Sequence, residues 1–367
     1  MQNNIFTPGG DIKIAACVHR IKRAGAVTLI TLRAGGRLIQ AAHTDADCAA
    51  PRAALKPGAY ISLTGTVRHE PRAPRGIEIT LKDFTVLAAP CSDDDTAPLH
   101  PILMLRAAAA DAFRATLAKD GFFEMHSPAV RRTEDGDTGL FRLSWFGADA
   151  VLTGDPRRYL IDGAAALDRV LEISQAFSAA RHNSPRHLAE YTRLDFEMNY
   201  INGIADVMAV SENAINAIIT RLSEDCAEEL AALDAALPEA GAIPVITFTE
   251  AMAVLGKSGD QPDLDPTDEA RLSSYAQKSL GSELLFVTRL PSEKRPQREA
   301  AASEAGLSEG FILLCRGMEV ASGGEHSSPS MPRHGGCGIG LERLLMKLLQ
   351  LPDIRDAAPF PRDMHNI

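Results

Sequence analysis

The chain has no Cys-x-x-Cys pair. Its six cysteines, Cys17, Cys48, Cys91, Cys226, Cys315 and Cys337, are scattered. This argues against a structural zinc site built on thiolates and fits reduced thiols in a cytoplasm. No apolar run approaches the ~20 residues that a bilayer-spanning helix needs, so no membrane partner is expected. The N-terminus, Met-Gln-Asn-Asn-Ile-Phe, lacks a basic segment followed by an apolar one, and no signal peptide is expected. GxxxxGK[ST] is absent too, which excludes a P-loop. The sequence holds no internal repeat and no low-complexity tract.

What is present is ordinary in bulk and uneven in charge. The 367 residues are 45% hydrophobic and 23% charged, a length and balance that suggest two domains. A net charge of −10 argues against a general nucleic-acid binder. Residues 1–90, however, carry 12 Lys/Arg against 6 Asp/Glu, and the remainder 26 against 42. A small basic domain joined to a large acidic one is what a polyanion-binding appendage looks like. A moderately charged surface without that role is the plain alternative.

Strands are expected at residues 12–18 and 26–33, with a turn at Ala24-Gly25, then at 38–42, 60–67 and 77–87, with a short helix at 51–55. Five short strands with a helix between the third and fourth fit an OB-fold barrel over residues 1–89. Residues 90–101, with Pro90, Asp93, Asp94, Asp95, Pro98 and Pro101, read as a linker. Residues 102–119 have helical spacing and end near Gly121; a strand is expected at 122–125. Residues 206–237 read as a long amphipathic helix broken once. Residues 243–254 and 284–287 read as strand or strand–helix segments.

The most informative stretch is Gly336-Cys337-Gly338-Ile339-Gly340-Leu341-Glu342-Arg343, followed by Leu-Leu-Met-Lys-Leu-Leu. Alternate glycines let a strand's backbone approach a planar ligand closely. The apolar run reads as a helix, which places Arg343 at the strand-to-helix junction, where a guanidinium can clamp a phosphate. This segment resembles motif 3 of the class II aminoacyl-tRNA synthetases. The tail from Asp353-Ile354-Arg355-Asp356 to Phe360-Pro361-Arg362-Asp363 narrows the resemblance to the aspartyl/asparaginyl branch, of the compact archaeal or non-discriminating type. The resemblance covers nearly the whole chain. It implies an α+β protein: an anticodon-binding-like OB-fold β-barrel, then a catalytic domain over 102–367 with an antiparallel sheet flanked by helices. The helix and strand before Pro128 resemble motif 1, which implies a homodimer.

The resemblance also implies an ATP site with Mg2+. Arg343 matches the arginine that grips the terminal phosphates. Glu319 and Ser322 match the magnesium-holding acid and hydroxyl, oxygen ligands of the kind that ion prefers. Tyr191 matches the aromatic that stacks on adenine, Arg186 and His187 match the basic tip of the motif 2 loop, and Gly338 and Gly340 match the glycine strand. Taken singly, each has a bland reading as a cap, core or surface residue.

Elsewhere the chain departs from the family. Where motif 2 has Phe-Arg-Ala-Glu, this sequence has Phe177-Ser178-Ala179-Ala180. Losing an arginine that meets charge building in a transition state costs on the order of 10²–10³ in rate. Arg181, three residues on, is a candidate substitute. In the amino-acid pocket, Gln-Ser-Pro-Gln then Tyr-Lys becomes Gly154-Asp155-Pro156-Arg157 then Tyr159-Leu160. The arginine expected after Gly323-Gly324-Glu325 is His326, which removes a permanent bidentate fork. In the barrel, Leu29 replaces a phenylalanine that stacks on an anticodon base, a contact worth roughly 1–3 kcal/mol per base. Gln40, at a base-contacting position, is kept. About fifty residues that the family places before motif 3 shrink here to Ser327–His334.

Three readings follow. The first is an ATP-dependent ligase that adenylates a carboxylate other than free aspartate, with Arg157, His326 and Arg181 around the remade pocket. The second is a catalytically inactive relative that binds a nucleotide, an RNA or a protein partner. The third is a genuine aspartate (or asparagine)–tRNA ligase. A tRNA or another RNA is a candidate partner, through weakened contacts, and the sequence does not say whether tRNA is still bound.

Overall fold

The computed structural model describes residues 7–34, 37–44, 46–73, 76–89, 99–134, 137–257, 263–294, 306–328 and 331–366. The chain divides into two compact units, 1–97 and 98–367.

In the first unit β1 (Asp11–Ala24), β2 (Val27–Ala34), β3 (Arg37–His43), β4 (Tyr60–His69) and β5 (Ile77–Ala88) close a barrel in the order β1-β2-β3-β5-β4. A single 3-10 turn, Arg52–Ala54, lies between β3 and β4. Burial alternates along β2, so Thr28, Ile30 and Leu32 point inward. Ile30, Leu32, Ile61, Leu63, Ile79 and Leu81 fill the barrel core. The β1–β2 turn is made by Gly25 at φ +64°.

The expected linker is mostly outside the described residues, since residues 90–98 are not among them. Residues 99–101, read from sequence as its end, already form the first turn of α1 (Leu99–Lys119). A proline is tolerated there because first-turn N–H groups have no helical partner. Gly121, at φ +82°, turns the chain after α1.

The second unit then runs β6 (Phe123–Glu124), β7 (Val130–Arg132), β8 (Arg142–Trp145), β9 (Ala148–Leu152), α2 (Arg157–Leu167), β10 (Arg169–Phe177), β11 (Glu190–Asn199), α3 (Ile204–Asp225) and α4 (Ala227–Ala232). It continues with β12 (Val245–Thr247), α5 (Phe248–Leu255), α6 (Pro266–Tyr275), β13 (Leu284–Thr288), β14 (Gly310–Cys315), β15 (Met318–His326), β16 (His334–Gly340) and α7 (Leu341–Leu348). The long helix read at 206–237 breaks at Cys226 and stops at Ala232; Asp234, at φ +50°, then turns the chain. The helix starts are encoded locally: Thr247 and Glu250 form a capping box at α5, as do Asp265 and Asp268 at α6.

Eight strands form one sheet in the order β12-β13-β14-β15-β16-β11-β10-β6; β7, β9 and β8 form a separate three-stranded sheet. The eight-stranded sheet is antiparallel through its centre, with parallel pairs at both edges, β12–β13 and β10–β6. One face carries Leu194, Phe196, Cys337 and Ile339, and these join Phe113, Ile215 and Ile218 in the main core. Phe122 meets Phe196 edge-to-face at 5.6 Å, an arrangement worth about 0.5–1.5 kcal/mol beyond burial.

The sheet is tight where glycines pair. A Cβ on Gly323 would lie 2.5 Å from the Gly336 carbonyl oxygen and 2.7 Å from the Phe311 ring. Neither neighbour is the loose end of a flexible chain. Gly323→Ala is therefore expected to destabilise the second unit by about 1–3 kcal/mol, measured as a drop in its denaturant midpoint; an unchanged midpoint would contradict this packing.

Candidate functional site

The site grows from one strand pairing. In the β11–β16 register, Arg193 faces Gly340, Asp195 faces Gly338 and Glu197 faces Gly336. Side chains alternate along a strand. Leu194, Phe196 and Met198 thus enter the core, while Tyr191, Arg193, Asp195 and Glu197 project from the opposite face. The glycines leave room for them. A Cβ on Gly338 would collide with the Arg193 guanidinium and the Asp195 carboxylate, and one on Gly336 with the Glu197 carboxylate. Neighbouring strands add to the same face. β10 sets Ser174 opposite Arg193 and Glu172 opposite Asp195; β15 sets Ser322 opposite Gly338 and His326 opposite His334.

Ser178, Tyr191, Glu319, Ser322, Gly338 and Gly340 line one cleft. Arg186, His187, Arg193 and Arg343 line it too. Arg343 stands in the first turn of α7. Its Nε donates to the Arg186 carbonyl oxygen at 3.4 Å, which ties α7 to the loop between β10 and β11. The tail holds the same loop: Ile354 N donates to Pro185 O at 3.0 Å, and Ala189 N to Arg362 O at 2.7 Å. Glu342, in the same helical turn as Arg343, is buried. It accepts from Thr192 N at 2.9 Å and pairs with Arg106 at 2.8 Å, so this carboxylate locks α7 to β11 and α1.

The loop tip is less cationic than its sequence suggests. The Arg186 guanidinium pairs with the buried carboxylate of Glu269. His187 shares a 2.7 Å hydrogen bond with Ser184 Oγ and stacks on His182 with ring centres 4.2 Å apart. Burial, with the positive charge of Arg343 next, pushes His187 down to about 4. A ring so shifted adds little positive charge to the cleft near pH 7.

The opposite wall carries a charge cluster. The Arg193 fork donates to Asp195 through Nη2 at 2.6 Å and through Nε at 2.9 Å, and Arg193 Nη2 lies 3.8 Å from Asp155 Oδ1. Asp155 also caps the start of α2, accepting from Arg157 N at 2.8 Å, with the Arg157 Nη2 at 3.6 Å. The Asp155 side chain is 45% exposed; what desolvation it has would raise the carboxyl, and Arg193 and then Arg157 outweigh that and hold it well below the usual range. Burial raises Asp195, against the pull of Arg193. Beyond Asp195 on the same face, Glu197 Oε1 lies 2.9 Å from His326 Nδ1 and 2.8 Å from His334 Nδ1, all three side chains being 1% exposed.

The remaining sequence candidates are placed differently. Arg181 is not among the residues lining the cleft; it lines a second cavity with Phe141, Phe177 and Arg362, and the two cavities meet at Ser178. Leu160 is 2% exposed and packs with Ala164 and Val170, so it serves the small core under α2 instead of a pocket. A Cβ on Gly324 would sit 2.7 Å from Glu309 O; Gly323 and Gly324 serve sheet packing. In the barrel unit, Lys22 faces Leu29 and Thr31 faces Gln40, and Gln40 donates to Glu78, which also binds Arg68.

Sequence reasoning passed over Arg193, Asp195, Glu197, His334 and Asp155. The signal for three of them was available: Arg193, Asp195 and Glu197 recur at every second position, which on a strand is one face. Because the native His187 ring resists protonation, the unfolded chain binds more protons between about pH 6.5 and pH 4, and stability falls as pH drops through that window. An NMR titration should find the His187 midpoint near 4, moving up in Arg343→Ala. A midpoint near the ordinary histidine value of ~6.5 would show that burial and Arg343 do not act on this ring.

A family model described as tRNA synthetases class II (D, K and N) matches residues 93–329 and 326–364. An Aspartate--tRNA(Asp/Asn) ligase from Deinococcus radiodurans is 29% identical, covering 98% of this chain and 96% of the relative. One of the same name from Thermus thermophilus is 29% identical over 98% and 97%. Among solved structures, the asparaginyl-tRNA synthetase from Pyrococcus horikoshii complexed with asparaginyl-adenylate shares the fold, with a TM-score of 0.78, 20% identity, and 98% and 96% of the two chains covered. That from Entamoeba histolytica in complex with asparaginyl-adenylate does so with a TM-score of 0.78, 19% identity, and 100% and 98% covered. No helix among the described residues is long and apolar enough to cross a membrane. With the family model covering most of the second unit and full-length relatives on both sides of it, the chain belongs to the class II tRNA synthetases of the D, K and N group.

Proposed function

We propose that this chain is an ATP-dependent ligase that adenylates a carboxylate, with its preference moved away from free aspartate. The acid's oxygen attacks the α-phosphorus of ATP, the bond to the β-phosphate breaks, and pyrophosphate leaves. Arg343 grips the terminal phosphates, and Tyr191 stacks on the adenine. Gly338 and Gly340 leave the strand open to the nucleotide. Glu319 and Ser322 supply oxygen donors on one wall of the cleft, a hard donor set that fits Mg2+. A bound magnesium ion would offset charge on the phosphates. Arg186, tied to Glu269, fixes the loop more than it supplies free charge.

One observation carries the specificity claim. The guanidinium on the acid-side wall, Arg193, is already gripped by Asp195 and faced by Asp155. Together with Arg157 the four groups are charge-balanced, and Glu197 beyond them adds a further carboxylate. A second acid placed there meets no spare side-chain cation among the described residues, and His326 stands where the resemblance puts an arginine fork. Unpaired burial of a carboxylate is costly enough to reject such a ligand.

A second reading, a genuine aspartate(asparagine)–tRNA ligase, is favoured by the full-length similarity to relatives with that name. Neither reading requires the barrel to have lost tRNA. The same likeness supports a homodimer through α1 and the strand after it, where Leu103 and Phe123 are exposed at 44% and 57%. It also supports a cytoplasmic setting.

Calorimetry should detect MgATP binding, weakened about tenfold or more in Arg343→Ala, since a charge-assisted hydrogen bond contributes about 1.5–3 kcal/mol. Pyrophosphate exchange should rise above background with some acid in a broad carboxylate panel and stay at background with aspartate. Aspartate-dependent exchange together with charging of total tRNA would establish the second reading. Absence of MgATP binding would leave a ligand-binding relative without catalysis.

A further inference from the structure

The buried triad Glu197, His326 and His334 enters the reading above only through the charge of Glu197 and the position of His326. Its donors come from three adjacent strands, β11, β15 and β16, and they converge. Both Nδ1 atoms approach one carboxylate oxygen, Glu197 Oε1, at 2.9 and 2.8 Å, and the three ligand atoms lie within 4.8 Å of one another. The two imidazole centres are 5.8 Å apart. A Cβ on Gly336 would strike the Glu197 carboxylate, so the glycine strand is what permits the convergence.

The cluster is not satisfied by its own hydrogen bonds. The carboxylate and both rings are 1% exposed, in a place where polar groups are costly unless fully paired. The remaining ring nitrogens, Nε2 of His326 and Nε2 of His334, are buried and have no hydrogen-bond partner among the described residues.

We propose that Glu197, His326 and His334 hold one divalent transition-metal ion of the zinc class. Two imidazole nitrogens and a carboxylate oxygen suit zinc, cobalt(II) or iron(II) and do not suit magnesium, which takes oxygen ligands. Bonds of about 2.0–2.2 Å in a tetrahedron put ligand atoms roughly 3.3 Å apart. The two Nδ1–Oε1 spacings, 2.9 and 2.8 Å, need to widen by only a few tenths of an ångström. The ion supplies positive charge, and three protein ligands leave a fourth position for water or a donor atom.

The place gives the ion a use. On the site face Glu197 lies two residues beyond Asp195, and His326 occupies the position of the expected arginine fork. If the adenylation reading holds, on which this step rests, the acid substrate carries a side chain with a metal-binding donor such as a hydroxyl, amine or thiol. The metal then takes over the recognition that a guanidinium performs through hydrogen bonds.

The test uses the full chain, stripped with a chelator and titrated with Zn2+ against a chromogenic competitor. One tight equivalent per chain is expected, weakened on the order of 100-fold or more in H326A and H334A. Circular dichroism must show each variant folded. If the variants fail to fold, Co2+ bound to the unaltered chain decides. Ligand-field bands without a thiolate charge-transfer band are expected; a thiolate band would place the metal on cysteine and overturn the assignment. No stoichiometric metal, or undiminished binding in the folded H326A/H334A double variant, would also overturn it. MgATP binding is measured on the same stripped protein. Loss of that signal with zinc binding intact would refute the nucleotide reading alone.

Discussion

The site depends on one contact: a strand of charged side chains lying against a strand of glycines. β11 offers Arg193, Asp195 and Glu197 on one face, and β16 offers Gly340, Gly338 and Gly336 directly opposite. A side chain at Gly336 or Gly338 would drive the charged groups out of place, because its first atom would fall inside them. The glycines thus act in two ways. They open the strand toward a ligand, and they let a guanidinium and two carboxylates lie flat on the sheet. Burial of these charges is tolerable because they pair. Arg193 binds Asp195 through two nitrogens, and such a fork offsets much of the desolvation cost.

That arrangement also explains the distribution of charge in the cleft. Its positive side is anchored to α7 and the β10–β11 loop, through Arg343 and the Arg186 carbonyl. The loop's other cations are muted, Arg186 by Glu269 and His187 by burial. Its acid-side wall has cations as well, but each faces carboxylates of the protein itself. Counting arginines therefore misleads; what matters is whether a guanidinium has unfilled donors. Among the described residues Arg343 makes one long bond, to a carbonyl, whereas Arg193 donates to one carboxylate at 2.6, 2.9 and 3.2 Å.

Much of the fold was legible in the sequence for simple reasons. The barrel strands alternate, their turns carry glycine, and the class II resemblance implied an antiparallel sheet flanked by helices in the second unit. The glycine strand and Arg343 were legible because a rare local pattern has one physical use. Leu160, Arg181 and His187 show what a motif position leaves out. Position in a motif does not say which way a side chain points, nor what is packed behind it. Leu160 lies on the buried side of α2, Arg181 opens onto the neighbouring cavity, and His187 is desolvated against another ring. The charged face of β11 was hidden differently. Its period of two was visible, but its partners, Asp155 and the glycines, come from elsewhere in the chain. Sheet register is a tertiary fact.

The cysteine pattern shows the same limit from the other side. Scattered thiols argue against a zinc site of the sequential kind, in which spacing within a short loop fixes the geometry. They say nothing of a site whose ligands come from three strands, since strand pairing brings residues 197, 326 and 334 together without any spacing rule. The thiols themselves are poor ligands here: Cys337 lies on the core face of β16, and burial pushes it up to about 12. On that strand the face decides the chemistry. The odd position at Cys337 is apolar packing, and the even positions from His334 to Gly340 either bind or clear space. A chain that replaces a guanidinium fork by imidazole on such a face need not give up positive charge. It changes how that charge is carried, from a fixed planar fork to a centre that accepts electron pairs and selects for their donors.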